Sequence, residues 1–312
     1  MPRTSRRSFK LKRAYDLAFS PNAKLVATVS RDVRLWDILS KKPLFSVHPL
    51  SHPSHLDFSP DSARIAVKST SGRIIVIGAM SGGTITDCAN QAEGEGSCLY
   101  FSADGQRLVD ASWAGMLTVR HSESGTTAFQ EAVGGMVSEL TATTDRATFA
   151  YTISKRPVSD REPPSETIVI RRWPFTANAP SLLPVSRCHI TAISLAPSGS
   201  RLALLHGAPP NTLEIIDLNS ARVTAVATVQ LGGTGASLDW SPDECLLGCV
   251  ERHQVTIFES ASLRRIHNIE LRYASAVHFS QQHGVLGLGS WEQGHVLDLA
   301  ELDTYKLHAK AV

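Results

Sequence analysis

The chain of 312 residues is 42% hydrophobic and 19% charged, with a formal net charge of +2. It therefore has ample apolar material for a core and no field strong enough to favour nucleic acid or a membrane surface. No apolar run reaches the roughly 18 residues of a spanning helix, and five cysteines without a repeated spacing argue against a disulfide framework and for a reducing, cytoplasmic compartment.

In chain order, the first question is posed by "SRRSFKLK", Ser5 to Lys12. Its paired arginines resemble a twin-arginine export signal, but such a signal needs an apolar region of roughly 7–15 residues behind the charges. The chain continues instead as "RAYDLAFSPNAKLVATVSRDVRLWD", where Arg13, Asp16, Lys24, Arg31 and Asp32 keep interrupting the apolar residues. The run therefore reads as the start of the fold.

A short phrase then returns along the chain: "LAFSPNAKLVAT" from Leu17, "LDFSPDSARIAV" from Leu56, "LYFSADGQRLVD" from Leu99, "ISLAPSGSRLAL" from Ile193 and "LDWSPDECLLGC" from Leu238. Weaker copies lie around Leu140 ("SELTATTDRATFAY") and Phe279 ("AVHFSQQHGVLGLG"). With the residue before the turn as anchor, the seven positions are Phe19, Phe58, Phe101, Leu140, Leu195, Trp240 and Phe279, at spacings of 39, 43, 39, 55, 45 and 39 residues. Each copy holds four short apolar runs, as in "YDLAF", "KLVATV", "VRLWDI" and "PLFSVH", and their period-two alternation predicts strands. Four strands in some 40 to 45 residues is the period of a propeller blade, whose two apolar faces can be buried only against neighbouring blades. The expected fold is all-β: one domain over residues 1–312, a seven-bladed β-propeller of four-stranded antiparallel blades.

"VRLWDI", with Trp36-Asp37 closing the third strand, and the recurrent Phe-Ser-Pro turns make the chain similar to the WD-repeat β-propeller family. The position of Trp36 is filled by Ile77, Arg120, Ile216 and Phe258 in other copies, so the resemblance is to a degenerate member. It implies a scaffold whose blades are held mainly by packing, with the His, Ser, Asp and Trp network of typical blades largely missing. The resemblance also bears on the first residues. "SFKLKRAYDLAFS" from Ser8 aligns without a gap on "NIELRYASAVHFS" from Asn268, which makes Ser8 to Leu11 equivalent to an outer strand. That strand is expected to close the ring on the last blade, with "DTYKLHA" from Asp303 as the competing segment.

Two segments are candidates for recognition. "HPLSHPSH", His48 to His55, links the first two blades. Its three histidines could ligate a metal, but convergent geometry and a further ligand are also required, and Pro49 and Pro53 read as a bend. The second is "KRPVSDREPPS", an insertion at about 155–166, whose charges and prolines predict a flexible, solvated loop between the second and third strands of blade 4. Such turns share a face of the disc with the links between blades, so Lys155, Arg156, Asp160, Arg161 and Glu162 are expected on one face with His48 and His52, as a partner-binding surface. Cys245 and Cys249 lack the further ligands of a zinc site.

The sequence contains no Gly-x-Ser-x-Gly elbow, His-Glu-x-x-His helix or phosphate-cradling loop. The expected function is a non-enzymatic protein–protein interaction scaffold, without metal or cofactor, binding one or more proteins and neither membrane nor nucleic acid. The alternatives are a lactonase-like or quinoprotein-like propeller enzyme, for which the innermost strands offer Asp16, Asp57, Asp239 and His278, and a weak nucleic-acid binder.

Overall fold

The computed structural model describes residues 8–88, 98–155, 165–176, 178–232, 236–282 and 284–302. In these residues the chain forms seven four-stranded antiparallel sheets, arranged as the blades of a β-propeller. The innermost strands, in blade order, are Asp16–Phe19, Pro53–Phe58, Leu99–Phe101, Leu140–Ala142, Ala192–Leu195, Leu238–Trp240 and Ala274–Phe279. Strands in the middle of a blade pack on both faces, and Leu25–Val29 is accordingly buried at every position. The outermost strand of blade 3, Thr127–Ala132, alternates between exposed and half-buried residues because its edge meets water. Seven apolar clusters of buried residues fill the seven interfaces between blades, so each blade is held by its two neighbours. At the seam between the last blade and the first, Leu17, Val26 and Trp36 pack with Val285 and Val296. The approach there is close: a Cβ on Gly287 would collide with the Leu17 side chain.

One turn recurs in all seven blades. The backbone N–H of the residue after each anchor donates to the carbonyl five residues on, as in Ser20 to Leu25, Ser59 to Arg64, Ser102 to Arg107 and Thr143 to Thr148. In five copies the hydroxyl of that residue also donates to an Asp or Asn two places later: Asn22, Asp61, Asp104, Asp145 and Asp243. The turn corrects the fourth anchor, which is Ala142 and not Leu140, because Thr143 is the residue that makes these bonds. The equivalents of Trp36 are as expected. The ladder between third and fourth strands shifts register between Leu35 and Trp36, and at Ile77, Arg120, Ile216 and Phe258 in the corresponding blades. Trp36 Nε1 donates to Thr28 Oγ1 at 3.4 Å.

The ring is closed by the N-terminal strand. Phe9–Lys10 pairs with His295–Asp298, with Phe9 opposite Val296 and Lys10 opposite His295. The Ser8 hydroxyl donates to Glu301 and accepts from the Asp298 N–H. The rival segment from Asp303 lies outside the described residues. The long repeat has a structural origin as well: the second and third strands of blade 4, Thr148–Lys155 and Ser165–Arg172, are eight residues each. Lys155 and Ser165 face each other as the last ladder pair, so they belong to strands and not to the loop expected to contain them.

A polar central channel as the candidate functional site

Period-two alternation along the innermost strands sends every second side chain toward the propeller axis. Counting back one residue from each anchor gives a ring of Ala18, Asp57, Tyr100, Thr141, Ser194, Asp239 and His278. Counting back three gives Asp16, His55, Cys98, Glu139, Ala192, Ser237 and Ala276. Both rings line a central cavity of about 870 Å³. The second ring is lopsided. Blades 1 to 4 contribute titratable groups, and blades 5 to 7 contribute small neutral ones.

The ring nearer the anchors ties blade to blade. Asp57 accepts from the Phe101 N–H at 2.8 Å, Thr141 from the Leu195 N–H at 3.2 Å and Asp239 from the Phe279 N–H at 2.6 Å. Arg146, at a positive-φ position in the fourth turn, reaches from blade 4 to Asp57 of blade 2 at 2.8 Å, with its guanidinium 4.5 Å from the centre of the Tyr100 ring. Burial raises the Asp57 carboxyl above its ordinary range, against the opposing pull of Arg146 and two backbone donors.

The other ring joins a run of titratable groups that spans five blades. His278 Nδ1 lies 4.0 Å from Asp239, and its Nε2 lies 3.1 Å from Asp16. Asp16 lies in turn 3.5 Å from His55 Nδ1, which is 3.7 Å from Cys98 Sγ. Burial works against the Asp16 carboxylate, but hydrogen bonds from His278 and His55 outweigh it and bring the pKa down to about 2. Burial likewise opposes protonation of His55, yet Cys98 and Asp16 together hold its imidazole well above the ordinary histidine range. Burial pushes Asp239 up to about 6, with His278 opposing. Glu139, next in the ring after Cys98, is pushed by burial up to about 8.

This arrangement holds protons and charge, but it is not a nucleophile relay. Cys98 and Asp16 approach the same nitrogen of His55, whereas a relay needs the nucleophile and the orienting carboxylate on opposite nitrogens. An imidazole held protonated by its neighbours is also a poor general base.

The expected site residues are dispersed. His48 and His52 are exposed on the link between blades 1 and 2, and His52 reaches the channel mouth. His55 belongs to the innermost strand Pro53–Phe58 and faces the channel, so the three histidines do not gather. Among the described residues, no group of three or more His, Cys, Asp or Glu is arranged to hold a metal ion. Cys245 is exposed, and Cys249 is buried among apolar side chains. Lys155 is exposed, and Arg156, Asp160, Arg161 and Glu162 lie outside the described residues. Of the insertion residues expected on one face with the links, only Lys155 is described, at the end of the second strand of blade 4. The Thr70 N–H donates to the His52 carbonyl, and Met136 and Ser154 exchange backbone hydrogen bonds, which ties second-to-third-strand turns to the links. Of the channel groups, Asp16, Asp57, Asp239 and His278 are legible in the sequence. His55 reads there as part of the link, and Cys98, Tyr100, Glu139 and Arg146 escape sequence reasoning.

No family model matches the sequence, and no curated protein does either. The fold is similar to a solved chain titled Kuenenia stuttgartiensis hydrazine synthase, with a TM-score of 0.73 over 93% of this chain and 96% of that one. The two are 13% identical, so what they share is the propeller fold.

Proposed function

We propose that the protein is a non-enzymatic, cytoplasmic adaptor of WD-repeat-like construction that binds a partner protein on the face carrying the links and the second-to-third-strand turns. The observation that carries this reading is the exposure on that face of Trp113 (46%), Trp291 (47%) and Met136 (42%). Exposed aromatic and Met side chains of this size are characteristic anchors of protein interfaces. The exposed His48, His52 and Lys155 add polar and charged groups to the same face, the composition of an interface rim. The hydrogen bond from Trp36 to Thr28 supports the WD-repeat resemblance, and five free cysteines suit a reducing compartment. The geometry at His55 favours binding over hydrolytic chemistry. No helix among the described residues is long and apolar enough to cross a membrane.

Capture from a cell extract by the intact chain, compared with two double variants, tests the reading. Trp113→Ser with Trp291→Ser should lose the partner while remaining folded, with at most a small drop in melting temperature from the lost stacking of Trp291 on Tyr15. Leu39→Ser with Met80→Ser, placed on turns of the opposite face, should keep it. Equal capture by both would refute the assignment of the face.

A further inference from the structure

Around the channel, carboxyl groups outnumber cations by two. Asp16, Asp57, Glu139, Asp145 and Asp239 line it together with Arg146, His55 and His278. Four of the carboxyls have partners: Asp57 has Arg146 at 2.8 Å, Asp16 the two imidazoles, Asp239 the Phe279 N–H at 2.6 Å with His278 at 4.0 Å, and Asp145 the Thr143 hydroxyl and the Ala147 N–H of its own turn. Among the described residues, no donor hydrogen-bonds the Glu139 carboxyl, and only the more distant charge of His55 acts on it. Glu139 is half-buried in the channel wall, and a carboxylate without a donor there is stabilised by a cationic ligand.

Space is available beside it. The next three positions of the same ring are Ala192, Ser237 and Ala276, which leave room in a cavity of about 870 Å³, a size that suits a small molecule. An aromatic wall stands at the entrance. Trp113 lines the cavity from a turn fastened to the link that leads to Glu139, through the Val137 N–H and the Ser112 carbonyl. Tyr15 and Trp291 also line the cavity, stacked with ring centres 4.5 Å apart. Aromatic faces attract organic cations. A hard metal ion fits poorly, because Glu139 offers one carboxylate where such ions require several oxygen ligands.

We propose that the central channel binds an organic ammonium group, seated on the Glu139 carboxylate with its apolar portion along Ala192, Ser237 and Ala276. The ammonium supplies the donors that Glu139 lacks and reduces the surplus of carboxyls around the channel. A neutral ligand leaves the carboxyl unpaired, and an anion adds to the surplus. The proposal rests on Glu139 and the channel; it shares Trp113 and Trp291 with the partner-binding face, and Glu139→Gln leaves that face intact. The ammonium could belong to a free amine or to a lysine side chain, and the two sources are separable by experiment.

Ligand-observed NMR on the full chain at pH 8.5, where Glu139 is largely ionised, tests it with three probes sharing one four-carbon tail: n-butylamine, 1-butanol and butyrate. Butylamine should bind at least about tenfold more tightly than butanol, the scale of one charge-assisted contact, and butyrate should not bind. Glu139→Gln should reduce butylamine to the butanol level, while Glu139→Asp, which keeps the charge, should retain the preference. Melting curves establish that both variants are folded. A second arm compares acetyl-Gly-Lys-Gly-amide with the same peptide acetylated on lysine. Binding of butylamine alone assigns the site to free amines, and preferential binding of the unmodified peptide assigns it to lysine side chains. Butanol binding as tightly as butylamine, preference for butyrate, or an undiminished amine preference in a folded Glu139→Gln variant would each overturn the proposal.

Discussion

His278 Nε2 lies 3.1 Å from Asp16 Oδ1, across the seam where the last blade meets the first. The same Asp16 lies 3.5 Å from His55 of blade 2, so one carboxylate serves two imidazoles from its two neighbouring blades. Closure of the ring and the electrostatics of the channel thus depend on each other. Asp16→Asn should lower the titration midpoints of both His55 and His278, because each is held up in part by that carboxylate. Histidine NMR titration reads this directly. Unchanged midpoints would mean that Asp16 does not contact either ring in solution.

Glu139 gives a pH signature of opposite sense to that of a paired carboxylate. Its folded pKa, about 8, lies above the ordinary glutamate value of 4.5, so the folded state holds the proton more tightly than the unfolded chain. The stability that this supplies is complete below the unfolded value and is lost as pH rises through about 8. Glu139→Gln removes the dependence. At pH 9 the variant should therefore gain on the wild type by on the order of 2–4 kcal/mol relative to their difference at pH 4, since a tenfold change in proton affinity is worth about 1.4 kcal/mol, discounted for partial exposure. Urea melts across this range check it. Parallel wild-type and variant curves would show that Glu139 titrates normally.

The closing strand carries a buried anchor. Leu11 is 1% exposed, packed with Val26, Trp36 and Val296, and its N–H donates to the Gly294 carbonyl at 2.8 Å. Leu11→Ala should cost about 2–4 kcal/mol, a typical truncation of a buried leucine, and lower the melting temperature accordingly. If the strand pairs only marginally, the melting temperature will stay within about 1 °C of the wild type, against the several degrees expected for such a loss.

The propeller is legible in the sequence because its signals repeat: alternation marks strands, and a hydroxyl with an Asp or Asn two places on marks the turn. The fourth anchor is harder to place because "LTATTD" has neither an aromatic anchor nor a proline, so alignment settles on Leu140, the larger residue. Thr143 and Asp145 carry the turn chemistry and locate it correctly. With that register, Cys98 and Glu139 stand three residues before their anchors, and Tyr100 one before. Arg146 is a different case. Its ion pair with Asp57 spans 89 residues and two blades, a relation set by ring geometry that no local pattern encodes.

Between blades 2 and 3 lies a buried ion pair whose energetics can be separated by mutation. Lys68 Nζ stands 2.5 Å from Asp110 Oδ1 and donates to the Ala111 carbonyl at 2.8 Å, and both side chains are at most 2% exposed. Desolvating two charges offsets most of their attraction, so the pair as a whole adds little stability, but either member alone is a buried, unmatched charge. Lys68→Met should thus destabilise the chain by about 3–5 kcal/mol by stranding Asp110. The double variant Lys68→Met with Asp110→Leu, which replaces both charges with apolar groups, should recover most of that loss. A coupling energy near zero in the double-mutant cycle would mean that the two groups do not meet in the folded protein. Recovery would show that blades 2 and 3 are held by packing, as the apolar cluster of Ile74, Val76, Phe101 and Leu108 beside the pair implies.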